Sequence, residues 1–191
     1  MEDLLLNIRN CTLCKAHLPL GPRPIVFANP DSKIVIVSQA PGTKAHASGI
    51  PWDEASGKQL RRWLDVRDEE FFDEKNFAIL PIGFCYPGRG KGGDLPPRPE
   101  CAPKWHEKVW NLMPNVELIL LIGAYAQRYY LKKDAKKTLT QTVANYDEYL
   151  PKYFPIPHPS PRNQFWLTRN PWYEAEVVPQ LRRVIKTILR S

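Results

Sequence analysis

Three short runs, KIVIVS over 33–38, FAILPIGF over 77–84 and VELILLIGA over 116–124, constrain this chain more than anything else in its 191 residues. Each is apolar almost throughout, without alternating polar side chains, so a strand built from it has to be covered on both faces. Segments with helical spacing lie between them. SGKQLRRWL, residues 56–64, sets Leu60, Trp63 and Leu64 on one side; residues 103–113 predict a second helix, and AYAQRYYL, straight after the third run, a further one. A weaker fourth strand falls at YFPIP, 153–157, before a helix over about 171–189 that Pro179 is placed to bend. Strand and helix alternate along the chain. That order predicts an α/β fold, a single domain over 1–191 in three layers, with a central, mostly parallel four-stranded sheet flanked by helices on both faces. No internal repeat or linker divides it. Ligands of such sheets bind outside the carboxyl ends of the strands. Here those ends are the loops QAPGTKAHASGIPWD, CYPGRGKGGD, GAYAQ and HPSPRN, three of them crowded with glycine and polar residues.

The formal charge of +7 points to an anionic partner, nucleic acid first. The run from Lys132 to Lys137 reads as a solvated helix end rather than a binding patch. No stretch approaches the ~20 apolar residues of a membrane span, and no early apolar run has the length of a signal peptide. The expectation is a soluble, cytoplasmic protein. In a reducing compartment the tight pair Cys11 and Cys14, in CTLC, points to metal binding or redox chemistry rather than to a structural disulfide.

The order of motifs carries a resemblance. CTLC, then NPDSKIVIVSQAPG, then SGIPWDEASGKQL resembles the uracil-DNA glycosylase superfamily, in particular its iron–sulfur branch, family 4. That branch has an N-terminal Cys-x-x-Cys, a first strand ending in Gly-Glu-Ala-Pro-Gly, and a Gly-Arg-Pro-Phe stretch before a helix. Its second cysteine pair follows the second strand with about fifteen residues between its members; Cys85 and Cys101 have 15 between them. HPSPRN, 158–163, is similar to the superfamily's second catalytic motif, and the likeness runs from residue 11 to about 165 in the right order.

The resemblance implies a monofunctional DNA glycosylase, an intracellular, DNA-associated monomer that excises a deaminated base, most readily uracil, in base-excision repair. It implies that Cys11, Cys14, Cys85 and Cys101 ligate one 4Fe–4S cluster of structural role, four thiolates being the set such a cluster takes. A tetrahedral zinc takes the same set, and four unrelated buried thiols are the plain alternative. His158 is the implied donor to the base oxygen where negative charge develops, a task open to a neutral imidazole. Gln39, Ala40 and Gly42 belong to the first motif, whose backbone N–H groups hold a carbonyl or oxyanion, with Gly42 permitting close approach. Trp52 replaces the Phe that stacks on the flipped base.

Several departures accompany the match. Family 4 has Glu where this chain has Gln39, and Ala40 stands where other branches carry a water-activating Asp, so this loop supplies no carboxylate. Asp53 either places the water and steadies the sugar cation or caps the helix that starts near Ser56; Glu54 is its neighbour. Pro81 stands at the position of the family's uracil-reading Asn and has neither a side-chain amide nor an N–H. For DNA, Arg162 and Asn163, with Phe165 and Trp166 behind them, combine phosphate-binding and wedge-like groups, while Arg89 and Lys91 are placed to grip phosphates. His46 shares the first loop. Three readings compete: the glycosylase, for uracil or another deaminated base; a nucleic-acid-binding member with reduced catalysis; and a hydrolase of free nucleosides.

Overall fold

The computed structural model describes residues 1–190. Helix α1 (Glu2–Arg9) leads through the first cysteine pair to strand β1 (Ile34–Val37). After it come helices α2 (Thr43–Ser48), α3 (Ala55–Leu64) and α4 (Asp68–Phe71), then strand β2 (Phe77–Ile79) and a hairpin of β3 (Arg89–Gly90) with β4 (Gly93–Asp94). Helix α5 (Cys101–Trp110), strand β5 (Leu118–Ile122), helices α6 (Gly123–Leu131) and α7 (Leu139–Ala144) and strand β6 (Tyr153–Ile156) follow. Helices α8 (Gln164–Arg169) and α9 (Val178–Arg190) close the chain.

The main sheet runs β2-β1-β5-β6 with every pairing parallel. Its pleat sorts side chains by parity, as a two-residue period requires. Ile34, Ile36, Leu118, Leu120, Phe154 and Ile156 face one core, closed by Leu60, Trp63 and Leu64 of α3 and Leu181 and Ile185 of α9. Val35, Val37, Ile119 and Leu121 face the other, closed by Leu5 and Ile8 of α1 and by Trp105 and Val109 of α5. Both faces are covered, which is why these strands show no polar alternation.

Regular pairing in β2 ends at Ile79, short of the run's expected end at residue 84. Hydrogen bonding to the β1 segment nonetheless continues past it, Leu80 and Ile82 donating to the carbonyls of Ile36 and Ser38 at 2.9 and 2.8 Å, and Pro81 between them sits where an edge strand tolerates proline, its nitrogen turned away from β1. The expected helix over 171–189 begins as a π-helical turn over 173–177 and becomes α-helical only from Val178. Pro179 removes one backbone donor there, and the wider turn takes up the mismatch.

From β1 the chain moves outward to β2, then crosses to β5 on the other side of β1. A reversal of that kind opens a crevice at the carboxyl ends of the central strands. The loops after β1 and β6 and the β3–β4 hairpin meet over it.

Candidate active site

A cleft of about 560 Å³ lies there, between residues 39–44, the start of α3, the hairpin and the 158–163 loop. Its size is that of a small-ligand site. Behind it is a recess of about 30 Å³, room for a water or two, walled by Ile25, Ser38, Trp52, Ile79, Pro81 and His158.

His158 sits at the junction of cleft and recess, two residues past β6. The backbone N–H of Ser160 donates to its Nδ1 at 3.2 Å. A nitrogen that accepts carries no proton in the neutral ring, so the hydrogen resides on Nε2. Desolvation pulls the imidazole pKa down to about 4, so the ring is neutral near pH 7. The Asn163 side chain donates to the His158 carbonyl at 2.7 Å, bracing the loop from within. Gly123, φ +79, opens α6 behind the ring, where a Cβ would lie 3.7 Å from the His158 Cβ.

Trp52 is buried, with its ring centroid 5.7 Å from that of His158. Its φ of 61° is left-handed, a strained conformation for an aromatic residue. Two features of α3 hold it there. Arg61 donates to the Trp52 carbonyl at 3.2 Å while its Nε pairs with Asp68 at 2.6 Å. Gly57 offers no side chain where that carbonyl presses: a Cβ on Gly57 would fall 1.7 Å from the oxygen.

The carboxylates fall differently from expectation. Asp53 is exposed and lines neither the cleft nor the recess, and it is not the cap of α3 either, since Glu54 occupies the N-cap position. Glu54 is in extended backbone, φ −158° and ψ 179°, in which successive side chains point to opposite sides, and it is Glu54 that faces inward. Glu54 lines both cavities, and Ser56 donates its hydroxyl to Glu54 Oε1 at 2.9 Å. Asp94 reaches the cleft from the hairpin.

Of the first motif, Gln39, Ala40 and Gly42 all line the cleft, and Ala40 and Gly42 reach the recess. The Gln39 amide donates to the Leu95 carbonyl at 3.1 Å, tying the strand end to the segment after the hairpin. Pro81 walls the recess, and its carbonyl is taken by His106 Nε2 at 3.0 Å. Since a carbonyl only accepts, His106 Nε2 bears the proton and Nδ1 accepts from Tyr130, whose hydroxyl oxygen receives the Trp110 N–H at 3.0 Å. Burial pulls His106 to a pKa of about 4, consistent with a neutral ring locked in that chain. His46 lies outside the cleft lining, near the Tyr86 ring.

Arg89 and Arg162 rim the cleft, and Arg162 lies against Gly93 of the hairpin, so these two basic groups converge from separate loops. Asn163 also lines it, with its amide spent on the bond to His158. Lys91 is exposed at the hairpin tip and lines no part of the cleft. Phe165 is 65% exposed, with the Arg169 guanidinium 4.0 Å over its ring.

The four cysteines assemble away from the cleft. Cys11 and Cys14 follow α1, Cys85 lies beyond β2, and Cys101 opens α5; all four line one small recess with Leu18, Pro24, Phe84, Arg98 and Trp105. None is in a disulfide. Among the described residues no three His, Cys, Asp or Glu side chains converge as a ready-made metal site, so the thiols share a recess without closing on a point. Burial pushes Cys85 up to about 11 and Cys101 up to about 12, so both are protonated thiols when no metal is bound. Four soft sulfur donors are the ligand set of an iron–sulfur or zinc site; Cys14 Sγ donates to Glu100 Oε2 at 3.7 Å, and Arg98 Nε holds that carboxylate oxygen at 3.1 Å.

The model of the uracil-DNA glycosylase superfamily matches residues 25–182. The chain belongs to that superfamily. It is also 25% identical over 166 residues to the type-4 uracil-DNA glycosylase of Thermotoga maritima, a match covering 84% of this chain and 81% of that protein.

In this superfamily member, Ser56 and Asp94 are cleft residues that no sequence motif singles out, and Glu54, one of the two nearest available carboxylates in the sequence, takes the inward place expected of Asp53. Glu54 had one signal: it precedes Ala55-Ser56-Gly57, where an N-terminal cap is expected. Nothing in the sequence tells which of two adjacent acids turns inward.

Proposed function

We propose that the protein is a DNA glycosylase that hydrolyses the bond between deoxyribose and a flipped, deaminated base. One observation carries the reading: a neutral His158, with Nδ1 engaged by the Ser160 N–H, sits at the mouth of a walled recess and leaves Nε2–H as a fixed donor. A leaving base gains negative charge as the bond breaks, and a donor already in place stabilises that charge without reorganisation. The base is held in the cleft, which Ala40 and Gly42 line with His158, and Trp52, at the family's stacking position, backs that wall from the recess. Arg89 and Arg162 take phosphates on the cleft rim.

Cys11, Cys14, Cys85 and Cys101 would hold a 4Fe–4S cluster, with a structural zinc as the rival occupant. Such a group supplies a cross-link between the segment after α1 and the loop after β2, and no redox step is needed for the hydrolysis.

Pro81 favours a second reading of specificity within the same chemistry. With its carbonyl held by His106 and no amide of its own, it presents only an apolar wall to the recess. The base edge is then read by main-chain groups of the cleft, or less strictly than in the family pattern. Oligonucleotides carrying a single uracil, hypoxanthine or xanthine, single- and double-stranded, distinguish these cases after alkali cleavage. At least one should be cut by the wild type, and His158→Ala should slow that reaction by about 10²-fold or more. Binding without excision of any base would identify a nucleic-acid-binding member instead.

A further inference from the structure

We propose that Glu54 is the carboxylate that places and deprotonates the hydrolytic water. The assignment rests on the glycosylase reading and adds the group that reading lacks, since the first motif contributes no acid.

Its position argues for this role. Glu54 stands at the N-cap of α3, yet its side chain makes no capping hydrogen bond to the helix. The carboxylate turns away toward the first motif. A Cβ on Gly42 would lie 3.5 Å from Glu54 Oε2 and 3.6 Å from Oε1, so glycine keeps the space in front of both oxygens clear. Ser56 fixes the group by donating to Oε1 at 2.9 Å, which leaves Oε2 for another partner. Among the described residues Glu54 is in no ion pair, and it is the sole carboxylate lining both the outer cleft and the recess shared by His158 and Trp52. An acid that neither caps its helix nor pairs with a cation, held where the cleft meets the recess, has no structural task that explains its orientation.

The chemistry needs such a group. As the C1′–N bond breaks, its electron pair leaves with the base, and the sugar acquires oxocarbenium character. Glu54 Oε2 accepts one proton from the water while the water oxygen bonds to C1′. The departing base anion accepts the Nε2–H hydrogen bond of His158. The proton on Glu54 then passes to the base anion through solvent, which restores the carboxylate and gives neutral base and an abasic sugar bearing a 1′-hydroxyl. Asp94, whose Oδ2 is 3.8 Å from the same Gly42 Cβ position, adds negative charge across the cleft.

The test is single-turnover excision of whichever base the wild type removes. Glu54→Gln should lose about 10²–10⁴-fold in rate, the range of a missing general base. Asp53→Asn, on the exposed neighbour, should stay within about threefold of wild type. Glu54→Ala should be as slow as Glu54→Gln, and formate should restore part of its rate by occupying the vacated position, a response that a fold defect would not show. A Glu54→Gln rate within threefold of wild type, or an inactive Glu54→Ala that formate leaves inactive, overturns the assignment while the glycosylase reading stands. A wild type that excises no base overturns both.

Discussion

Gly57→Ala is the substitution in which local and tertiary preferences oppose each other most sharply. In an ordinary helix interior it stabilises by roughly 0.5–1 kcal/mol, because glycine surrenders the most backbone freedom. In α3 the new Cβ would stand 1.7 Å from the Trp52 carbonyl oxygen, 2.6 Å from its carbon and 3.0 Å from its Cα. Carbons essentially never approach within 3.0 Å, so the Trp52 peptide has to retreat by about 1.3 Å. It is not free to do so: its φ is 61° and Arg61 holds the carbonyl at 3.2 Å. Overpacking of this kind costs about 1–3 kcal/mol, and a lost hydrogen bond to a charged group costs about 1.5–3 kcal/mol more. Set against the helical gain, the net loss is about 2–5 kcal/mol, which for a chain of this size lowers Tm by roughly 5–15 °C. Thermal unfolding followed by circular dichroism measures it directly. Tryptophan fluorescence should shift as Trp52 leaves its buried site, and excision should fall with it. A variant with an unchanged or raised Tm would refute the claim that Gly57 exists to admit the Trp52 carbonyl.

Two further outcomes follow from the buried groups. His46, His106 and His158 all have pKa values lowered in the fold, the last two to about 4, so the unfolded chain binds more protons between the unfolded value near 6.5 and the folded ones. Stability is therefore full above pH 6.5 and falls as pH drops toward 4; urea unfolding from pH 7 to 5 should show net proton uptake, and His106→Phe should reduce that uptake by about one proton. Purified under exclusion of oxygen, the protein should be brown, and Cys101→Ser should lose the colour and the bound iron while lowering Tm. A colourless protein with one zinc per chain would replace the cluster by zinc and keep the tether.

The layered fold and the location of the cleft were legible in the sequence because their causes are local or nearly so. Runs such as Ile34–Val37 and Leu118–Ile122 lack polar alternation, which only a doubly covered sheet tolerates. The strand-end loops QAPG and HPSPRN name themselves by composition, and the four cysteines by spacing. Tertiary structure decided what depends on a single dihedral or on partners far along the chain. The path from Trp52 into α3, left-handed at Trp52 and extended at Glu54, presents Glu54 rather than Asp53 to the cleft, and no periodicity encodes that choice between neighbours. The state of His158 is likewise set at a distance: its protonated nitrogen follows from the Ser160 N–H, and its lowered pKa from protein packed around it. Composition determines which groups are present; the direction each one faces is an energy of the assembled whole, where one backbone angle outweighs any residue preference.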